Sequence, residues 1–271
     1  MAEKSVTVAG QELAYTESAG GGRPVVLVHG NSSSRRTWRA LTDGPFGESF
    51  RCLAFDLPGH GASAPAADTD AYSLPGYAAN LAGFLAATDA EDAVVVGWSL
   101  GGHIALEAVP LLPDAAGFVI FGTPPVGTPA QLAEAFLPNP AVNVGFSADV
   151  DADAARAYAA SFLAPGSTLP LTEFVTDILA TDGAARAGLM ASLDTGRFAD
   201  EVAIVAGLTR PLAVLHGAGE QLVSLDYLRT VTMPTLWRGE VQVLPGTGHA
   251  PHEEAPEEFA AVLTRFVTGL T

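Results

Sequence analysis

The chain has 271 residues, of which 48% are hydrophobic, and its 29 glycines and 19 prolines provide for many turns. This length and composition suffice for one large buried core. Thirteen basic residues against thirty acidic ones leave a formal net charge of -17, which opposes binding to nucleic acid and to anionic membrane surfaces. We therefore expect a small-molecule ligand and neither a nucleic-acid nor a membrane partner, while the oligomeric state is left open.

Neither export nor membrane insertion is expected from the sequence. Residues 1–6 contain no apolar core of a signal peptide, and no later segment approaches about eighteen uninterrupted apolar residues. The single cysteine, Cys52, allows no intramolecular disulfide. It lies in an apolar run, where it is expected to be a buried small residue rather than a nucleophile. These features predict a cytoplasmic protein.

The first half of the chain alternates between strands and helices. Short strands are predicted at 6–8 and 12–15, followed by buried strands at 24–28 and 52–55. The next segment predicts a helix, because its apolar residues are spaced as one helical face requires. Four residues form that face: Tyr77, Leu81, Phe84 and Leu85.

Apolar runs at 93–96 and 118–121 predict two more strands, after which the rhythm changes. Short helical stretches separated by proline and glycine follow, and they predict a helical cap inserted after a strand. Alternation then resumes with strands at 212–215 and 241–244, a helix near 225–230 and a final helix. We thus predict an α/β fold with a mostly parallel central sheet, helices on both faces and an inserted helical cap. The predicted division is a core of residues 1–125 and 208–271 and a cap of residues 126–207.

Ser99 is the predicted nucleophile. It lies in the run Gly97-Trp98-Ser99-Leu100-Gly101, directly after the strand at 93–96 and directly before a helix-forming stretch. A strand, a tight turn and a helix with serine at the apex form a nucleophile elbow, which holds the hydroxyl above the sheet. The pattern G-x-S-x-G alone is weak, but this context makes it specific.

A serine hydroxyl needs a base to take its proton and a carboxylate to orient that base. His249 follows the strand at 241–244, at the sheet edge where open α/β folds place their sites. Two carboxylates follow the strand at 212–215. Glu220 lies in the turn itself, whereas Asp226 has entered the next helix, so Glu220 is favoured as the acid and Asp226 is kept as the alternative.

Two backbone N–H groups are needed to bind the oxygen that becomes negative during acyl transfer. Leu100, the residue after the nucleophile, is predicted to supply one, and Asn31, after the strand at 24–28, the other. The Asn31 side chain either contributes an amide to the substrate or only forms the turn. Trp98 and Tyr158 are candidate substrate contacts, with a role as core aromatics equally open.

The sequence predicts no metal site and no cofactor. Its histidines are spread among different turns without the spacing of common metal motifs. Neither a phosphate-binding loop ending in lysine nor a G-x-G-x-x-G after a strand is present. The chemistry is therefore expected to come from side chains alone.

The assembled motifs resemble the α/β-hydrolase superfamily over nearly the whole chain, in the order serine, acid, histidine. Within it, the chain resembles the metal-independent N-acyl-homoserine lactonases. Six runs carry this resemblance: 29–34 (HGNSSS), 56–61 (DLPGHG), 97–104 (GWSLGGHI), 122–126 (GTPPV), 181–183 (TDG) and 248–251 (GHAP). That group also uses glutamate at the position matching Glu220, where most of the superfamily has aspartate. The cap matches less well.

The resemblance implies an enzyme that opens the lactone ring of bacterial quorum-sensing signals with Ser99, His249 and Glu220 and without a metal. A general carboxylesterase or a cofactor-free perhydrolase uses the same residues and is the enzymatic alternative. A ligand receptor that keeps the three residues is the alternative outside enzymes. The preferred acyl-chain length is the property that this resemblance predicts least well, because the cap shapes the acyl pocket and matches the family less closely.

Overall fold

The structure is a computed structural model that describes residues 2–270. Within them, one sheet contains eight strands in the order β1-β2-β4-β3-β5-β6-β7-β8. The strands are β1 (Ala2–Val8), β2 (Gln11–Glu17), β3 (Pro24–Val28), β4 (Arg51–Phe55), β5 (Val94–Trp98), β6 (Gly117–Phe121), β7 (Leu212–Gly217) and β8 (Gln242–Leu244).

The six strands from β4 to β8 in this order are parallel to one another. At the other end of the sheet, β1 pairs antiparallel with β2, and β2 pairs antiparallel with β4. Val28 of β3 pairs with Gly97 of β5, and Trp98 pairs with Phe121 of β6. The carboxyl ends of β3, β5 and β6 therefore lie side by side. In an open parallel sheet this edge is where ligands bind.

Helices cover both faces of the sheet, since β5, β6 and β7 are buried at every residue. Those before β6 are α1 (Arg39–Thr42), α2 (Pro45–Ser49), α3 (Leu74–Ala87) and α4 (Leu100–Glu107). Those after β6 are α5 (Pro129–Ala135), α6 (Ala152–Ser161), α7 (Thr172–Ala180), α8 (Gly183–Asp194), α9 (Glu201–Gly207), α10 (Leu225–Thr230), α11 (Pro251–Glu254) and α12 (Pro256–Thr268). Short 3-10 helices lie at Arg35–Trp38, Thr69–Tyr72, Val109–Leu111, Pro140–Phe146 and Trp237–Gly239.

Local sequence accounts for the ends of the main helices. At the start of α3, the Ser73 hydroxyl accepts a hydrogen bond from Gly76 N–H, and a proline occupies the first turn. Ser224 caps α10 in the same way through Tyr227 N–H. The predicted apolar face of α3 is buried, and so are the apolar residues of α12 (Phe259, Val262, Leu263, Phe266 and Val267).

Between β6 and β7 the chain makes a helical excursion, defined here as residues 122–211. It contains α5 to α9 and the 3-10 helix Pro140–Phe146, while β6 and β7 themselves pair directly. The predicted fold, a mostly parallel sheet with helices and an inserted helical segment, is confirmed. The division at 125/126 and 207/208 stays a prediction. None of the helices in residues 2–270 combines the length and the apolar character that a membrane crossing requires.

Candidate active site

Ser99 lies at the sharp turn between β5 and α4. Its φ of 53° and ψ of -118° are unusual for a residue other than glycine. Two hydrogen bonds hold this conformation: Ser99 N–H donates to the Phe121 carbonyl at 2.8 Å, and the Thr123 hydroxyl donates to the Ser99 carbonyl at 2.8 Å. A Cβ built on Gly97 would lie 2.3 Å from the Gly101 carbonyl oxygen. The turn therefore requires a glycine there and presents Ser99 at the sheet edge.

His249 and Glu220 form a buried hydrogen-bonded pair. Glu220 lies in the turn after β7 and His249 in the loop after β8, and His249 Nδ1 is 2.9 Å from Glu220 Oε2. Both side chains are 2% exposed. The other carboxylate oxygen, Oε1, accepts from Leu222 N–H at 2.8 Å, so both oxygens of Glu220 are fixed.

The alternative acid, Asp226, lies elsewhere. It occupies the first turn of α10, its side chain is 95% exposed, and it contacts Arg229 at 3.4 Å on the same helix. Between the two carboxylates that the sequence left open, the structure brings Glu220 and not Asp226 to His249.

The electrostatics of Glu220 suit an orienting carboxylate. Burial favours the neutral acid, but the positive charge and hydrogen bond of His249 and the Leu222 N–H outweigh it and hold the pKa of Glu220 below its usual value. Glu220 is therefore ionised at neutral pH. An ionised carboxylate at Nδ1 fixes the imidazole tautomer and leaves Nε2 free to accept a proton.

His249 Nε2 is buried and has no hydrogen-bond partner among residues 2–270, so the structure does not join it to the Ser99 hydroxyl. Ser99 and His249 nevertheless contact two adjacent residues, Phe121 and Gly122 respectively. Phe121 accepts the Ser99 N–H, and a Cβ built on the next residue, Gly122, would lie 3.1 Å from His249 Nε2. Such hydrogen bonds are often long before substrate binds.

The two predicted oxyanion donors lie at the ends of neighbouring strands. Leu100 is the first residue of α4, and Asn31 follows β3. Neither backbone N–H donates a hydrogen bond within residues 2–270, and the helix end adds a partial positive charge at Leu100. The Asn31 side chain is engaged, because its Nδ2 donates to the Gly145 carbonyl at 2.6 Å and its Oδ1 accepts from Ser32 at 3.1 Å.

The two candidate aromatic contacts differ in their surroundings. Trp98 is 1% exposed, and its indole N–H donates to the His249 carbonyl at 2.8 Å, which favours a core aromatic that holds the histidine loop. Tyr158, on α6, is buried and its hydroxyl lies near Gly145. A Cβ built on Gly145 would lie 2.6 Å from that hydroxyl oxygen and 2.9 Å from Asn31 Nδ2. Burial raises the pKa of Tyr158, so its hydroxyl is protonated at neutral pH.

Sequence reasoning missed three residues that shape this site, namely Gly122, Gly145 and Glu254. Gly122 enters the sequence analysis only as part of the run 122–126, although a glycine directly after a buried strand is a signal of close packing. Glu254 accepts N–H groups from Gly248 and Ala164. Nothing local in the sequence marks Glu254 or Gly145, because the contacts of Glu254 with Ala164 and of Gly145 with Asn31 span 90 and 114 residues of the chain. Within residues 2–270 no group of three or more histidine, cysteine or acidic side chains is arranged to hold a metal ion.

Residues 25–262 match the model of the Alpha/beta hydrolase family. The chain belongs to this family. Solved structures of the α/β-hydrolase N-acyl homoserine lactonase AidH are very similar to it. The complex of AidH with N-butanoyl homoserine has a TM-score of 0.95 and 34% identity, covering 100% of this chain and 98% of that one. A mutant complexed with N-hexanoyl homoserine lactone gives the same TM-score and identity. The predicted resemblance to these lactonases is confirmed.

Two relatives are named as esterases. The chain is 32% identical to the pimeloyl-[acyl-carrier protein] methyl ester esterase of Methylococcus capsulatus over 78% of this chain and 82% of that protein. It is 30% identical to the esterase of the same name from Edwardsiella ictaluri over 92% and 95%. Together, the family and these relatives identify a hydrolase of the ester type.

Proposed function

We propose that this α/β-hydrolase opens the lactone ring of N-acyl-homoserine lactones by serine catalysis. The observation that carries the proposal is the buried hydrogen-bonded pair of His249 and Glu220. The His249 ring packs against Gly122, and the neighbouring residue Phe121 accepts a hydrogen bond from Ser99 N–H. The similarity to AidH over the full chain supports the lactone as substrate.

In the proposed mechanism the Ser99 oxygen attacks the lactone carbonyl carbon while His249 Nε2 takes the hydroxyl proton. Glu220 stabilises the imidazolium that forms. The tetrahedral intermediate then collapses: the bond to the ring oxygen breaks, and that oxygen takes the proton from His249. Water then attacks the resulting ester of Ser99 with His249 again as base; the bond to the Ser99 oxygen breaks, that oxygen takes the proton back from His249, and the product is the open hydroxy acid.

The N–H groups of Asn31 and Leu100 are the proposed oxyanion donors. Each is free of protein acceptors within residues 2–270, and each follows a strand whose carboxyl end lies at the same edge of the sheet. Loss of one such donor typically costs on the order of 3 kcal/mol of transition-state stabilisation.

Residues 126–207, which lie within the helical excursion, are the proposed acyl cap. Its aromatic side chains reach the site: the Phe162 ring is stacked at 5.9 Å from that of His249, and Phe174 packs on Phe162 at 5.8 Å. Burial of each methylene contributes roughly 0.8 kcal/mol, or about fourfold in affinity. The ratio kcat/KM is therefore expected to rise with acyl length until the pocket is full.

A general carboxylesterase is the second candidate, because two relatives bear the names of methyl ester esterases. The two activities are separated by comparing kcat/KM for acyl-homoserine lactones of several tail lengths with values for 4-nitrophenyl esters and methyl esters. Sustained turnover on any of them opposes a role as a ligand receptor, which predicts at most one product per protein.

The decisive experiment follows proton release from N-hexanoyl-homoserine lactone in wild type and in Ser99→Ala, with and without a chelator. We expect turnover in the wild type, no effect of the chelator, and a fall of about 10⁴-fold or more in kcat for Ser99→Ala. Activity that survives the alanine, or that the chelator removes, would falsify the proposal.

A further inference from the structure

A short segment of the excursion, residues 162–164, is fastened to both loops that carry the proposed proton relay. Ala250 N–H, next to His249, donates to the Phe162 carbonyl at 2.9 Å. The Gln221 side chain, next to Glu220, donates its Nε2 hydrogen to the Leu163 carbonyl at 2.7 Å. The segment thus contacts the base loop and the acid loop at once.

Glu254, at the end of α11, makes the tightest of these connections. Its Oε2 accepts from Gly248 N–H at 2.5 Å, and its Oε1 accepts from Ala164 N–H at 2.9 Å. One carboxylate therefore joins the backbone directly before His249 to the end of segment 162–164. Hydrogen bonds to a charged acceptor are about twice as strong as neutral ones.

The residues beside both catalytic candidates are small because segment 162–164 passes against them. A Cβ built on Gly248 would lie 2.5 Å from the Ala164 nitrogen, and one built on Gly219 would lie 2.9 Å from the Ala164 Cβ. Neither loop has room to shift toward the segment. The position of His249 relative to Glu220 is therefore determined by how the segment is held.

We propose that Glu254 is a positioning residue that holds His249 in register with Glu220 by tying Gly248 to segment 162–164. It acts through the Gly248 backbone and does not touch the substrate. The inference rests on the proposed roles of His249 and Glu220. Because the same segment continues from the helix α6 that carries Tyr158, Glu254 also connects the proposed acyl cap to the proton relay.

Removal of this connection should affect the chemical step more than substrate binding. For Glu254→Ala we expect kcat to fall about 10- to 100-fold with KM within about twofold, since a misplaced imidazole costs up to roughly 10²-fold in rate. Glu254→Gln keeps the length but offers one oxygen to two N–H donors, so its kcat should lie between wild type and alanine. Exposed Glu257 in α12 provides the control: Glu257→Gln removes the same charge and should leave kcat unchanged.

The test combines kinetics on 4-nitrophenyl butyrate, measured well below each variant's Tm, with proton NMR of the downfield Nδ1–H resonance of His249. We expect Glu254→Ala and Glu254→Gln to shift or broaden that resonance and to lower kcat. A lower Tm with wild-type kcat and an unchanged resonance would reduce Glu254 to a purely structural role and overturn the inference. The resonance does not depend on any substrate, so activity that persists in Ser99→Ala would defeat the proposed function alone.

Gln221→Ala keeps the inference testable if the Glu254 variants fold poorly. It cuts only the connection to the acid loop, and we expect a severalfold loss of kcat. In a double-mutant cycle with Glu254→Gln the two losses should be non-additive, because both act through segment 162–164. Fully additive losses would contradict a shared positioning role.

Discussion

The imidazole of His249 lies directly against the backbone of Gly122. A Cβ built on that glycine would be 2.6 Å from His249 Cε1 and 2.9 Å from Nδ1, and Gly122 has a φ of +61°. No larger residue is accommodated without displacing the ring. The residue that follows β6 therefore limits where the imidazole of the proposed base can lie.

Gly122→Ala should lower kcat by about 100-fold, because the added methyl group would overlap the imidazole and displace it from its present position. The left-handed backbone adds a stability cost of about 1–2 kcal/mol, visible as a modest drop in Tm. Steady-state kinetics and thermal unfolding measure the two effects. Gly207→Ala, which places a methyl group in open space, is the control and should behave as wild type. Full activity in Gly122→Ala would show that catalysis does not depend on this packing of the His249 imidazole against Gly122.

Glu220→Ala should reduce kcat by about 10³- to 10⁴-fold, since the imidazole then loses the carboxylate that orients it. Asp226→Ala should stay within about twofold of wild type, because the Asp226 side chain is exposed and contacts only Arg229 among the charged groups of residues 2–270. Both variants are compared by kcat on one 4-nitrophenyl ester. The reverse ranking would assign the acid to Asp226.

Gly145→Ala should weaken substrate binding through Asn31 and Tyr158. The new Cβ would lie 2.6 Å from the Tyr158 hydroxyl and 2.9 Å from Asn31 Nδ2, so both groups must move. We expect KM for acyl-homoserine lactones to rise several-fold. Gly166→Ala places a methyl group in open space elsewhere in the excursion and serves as a partial control, since its own φ is +85°. An unchanged KM in Gly145→Ala would place the acyl amide away from this cluster.

Glu253→Gln should flatten the pH dependence of stability. Burial raises the pKa of Glu253 to about 7, and the nearby negative charges of Glu173 and Asp177 act in the same direction. The folded state therefore binds this proton more tightly than the unfolded chain, whose value is about 4.5. The free energy of unfolding should fall as pH rises through this window, by on the order of 3 kcal/mol from this group.

Urea unfolding of wild type and Glu253→Gln between pH 4.5 and 8 measures that contribution as the difference between the two curves. Glu257→Gln, which alters an exposed carboxylate, should run parallel to wild type. Parallel curves for Glu253→Gln as well would mean that Glu253 titrates normally in the folded protein.

Periodicity predicted most of the sheet core from the sequence. The strand at 24–28 has the predicted bounds, and α10 spans the predicted residues 225–230. Both segments combine a strong apolar pattern with clear turn or cap residues at their ends. The first two strands are longer than predicted, at Ala2–Val8 and Gln11–Glu17. Their outer residues are polar and gain strand structure by pairing with each other, which no local pattern shows.

Chain order and turn position led from the sequence to Ser99, His249 and Glu220, because each follows a strand of the parallel sheet at its carboxyl edge. The surroundings of these residues could not be predicted in the same way. The hydrogen bonds from Asn31 to Gly145 and from Ala164 to Glu254 join residues more than eighty positions apart, and the one from Gln221 to Leu163 joins residues 58 positions apart. These contacts depend on how the excursion packs against the rest of the protein. The sequence of the excursion lacks the alternation of strands and helices from which the sheet was predicted.

Because β6 and β7 are parallel, hydrogen-bonded neighbours, residues 122–211 leave the sheet at the carboxyl end of one strand and rejoin it at the amino end of the adjacent strand. Their content can be exchanged without changing the register of any strand. A chimaera that grafts the corresponding segment of a relative onto this scaffold should keep its sheet and acquire a new substrate preference, provided that the donor supplies partners for Gln221 and Glu254.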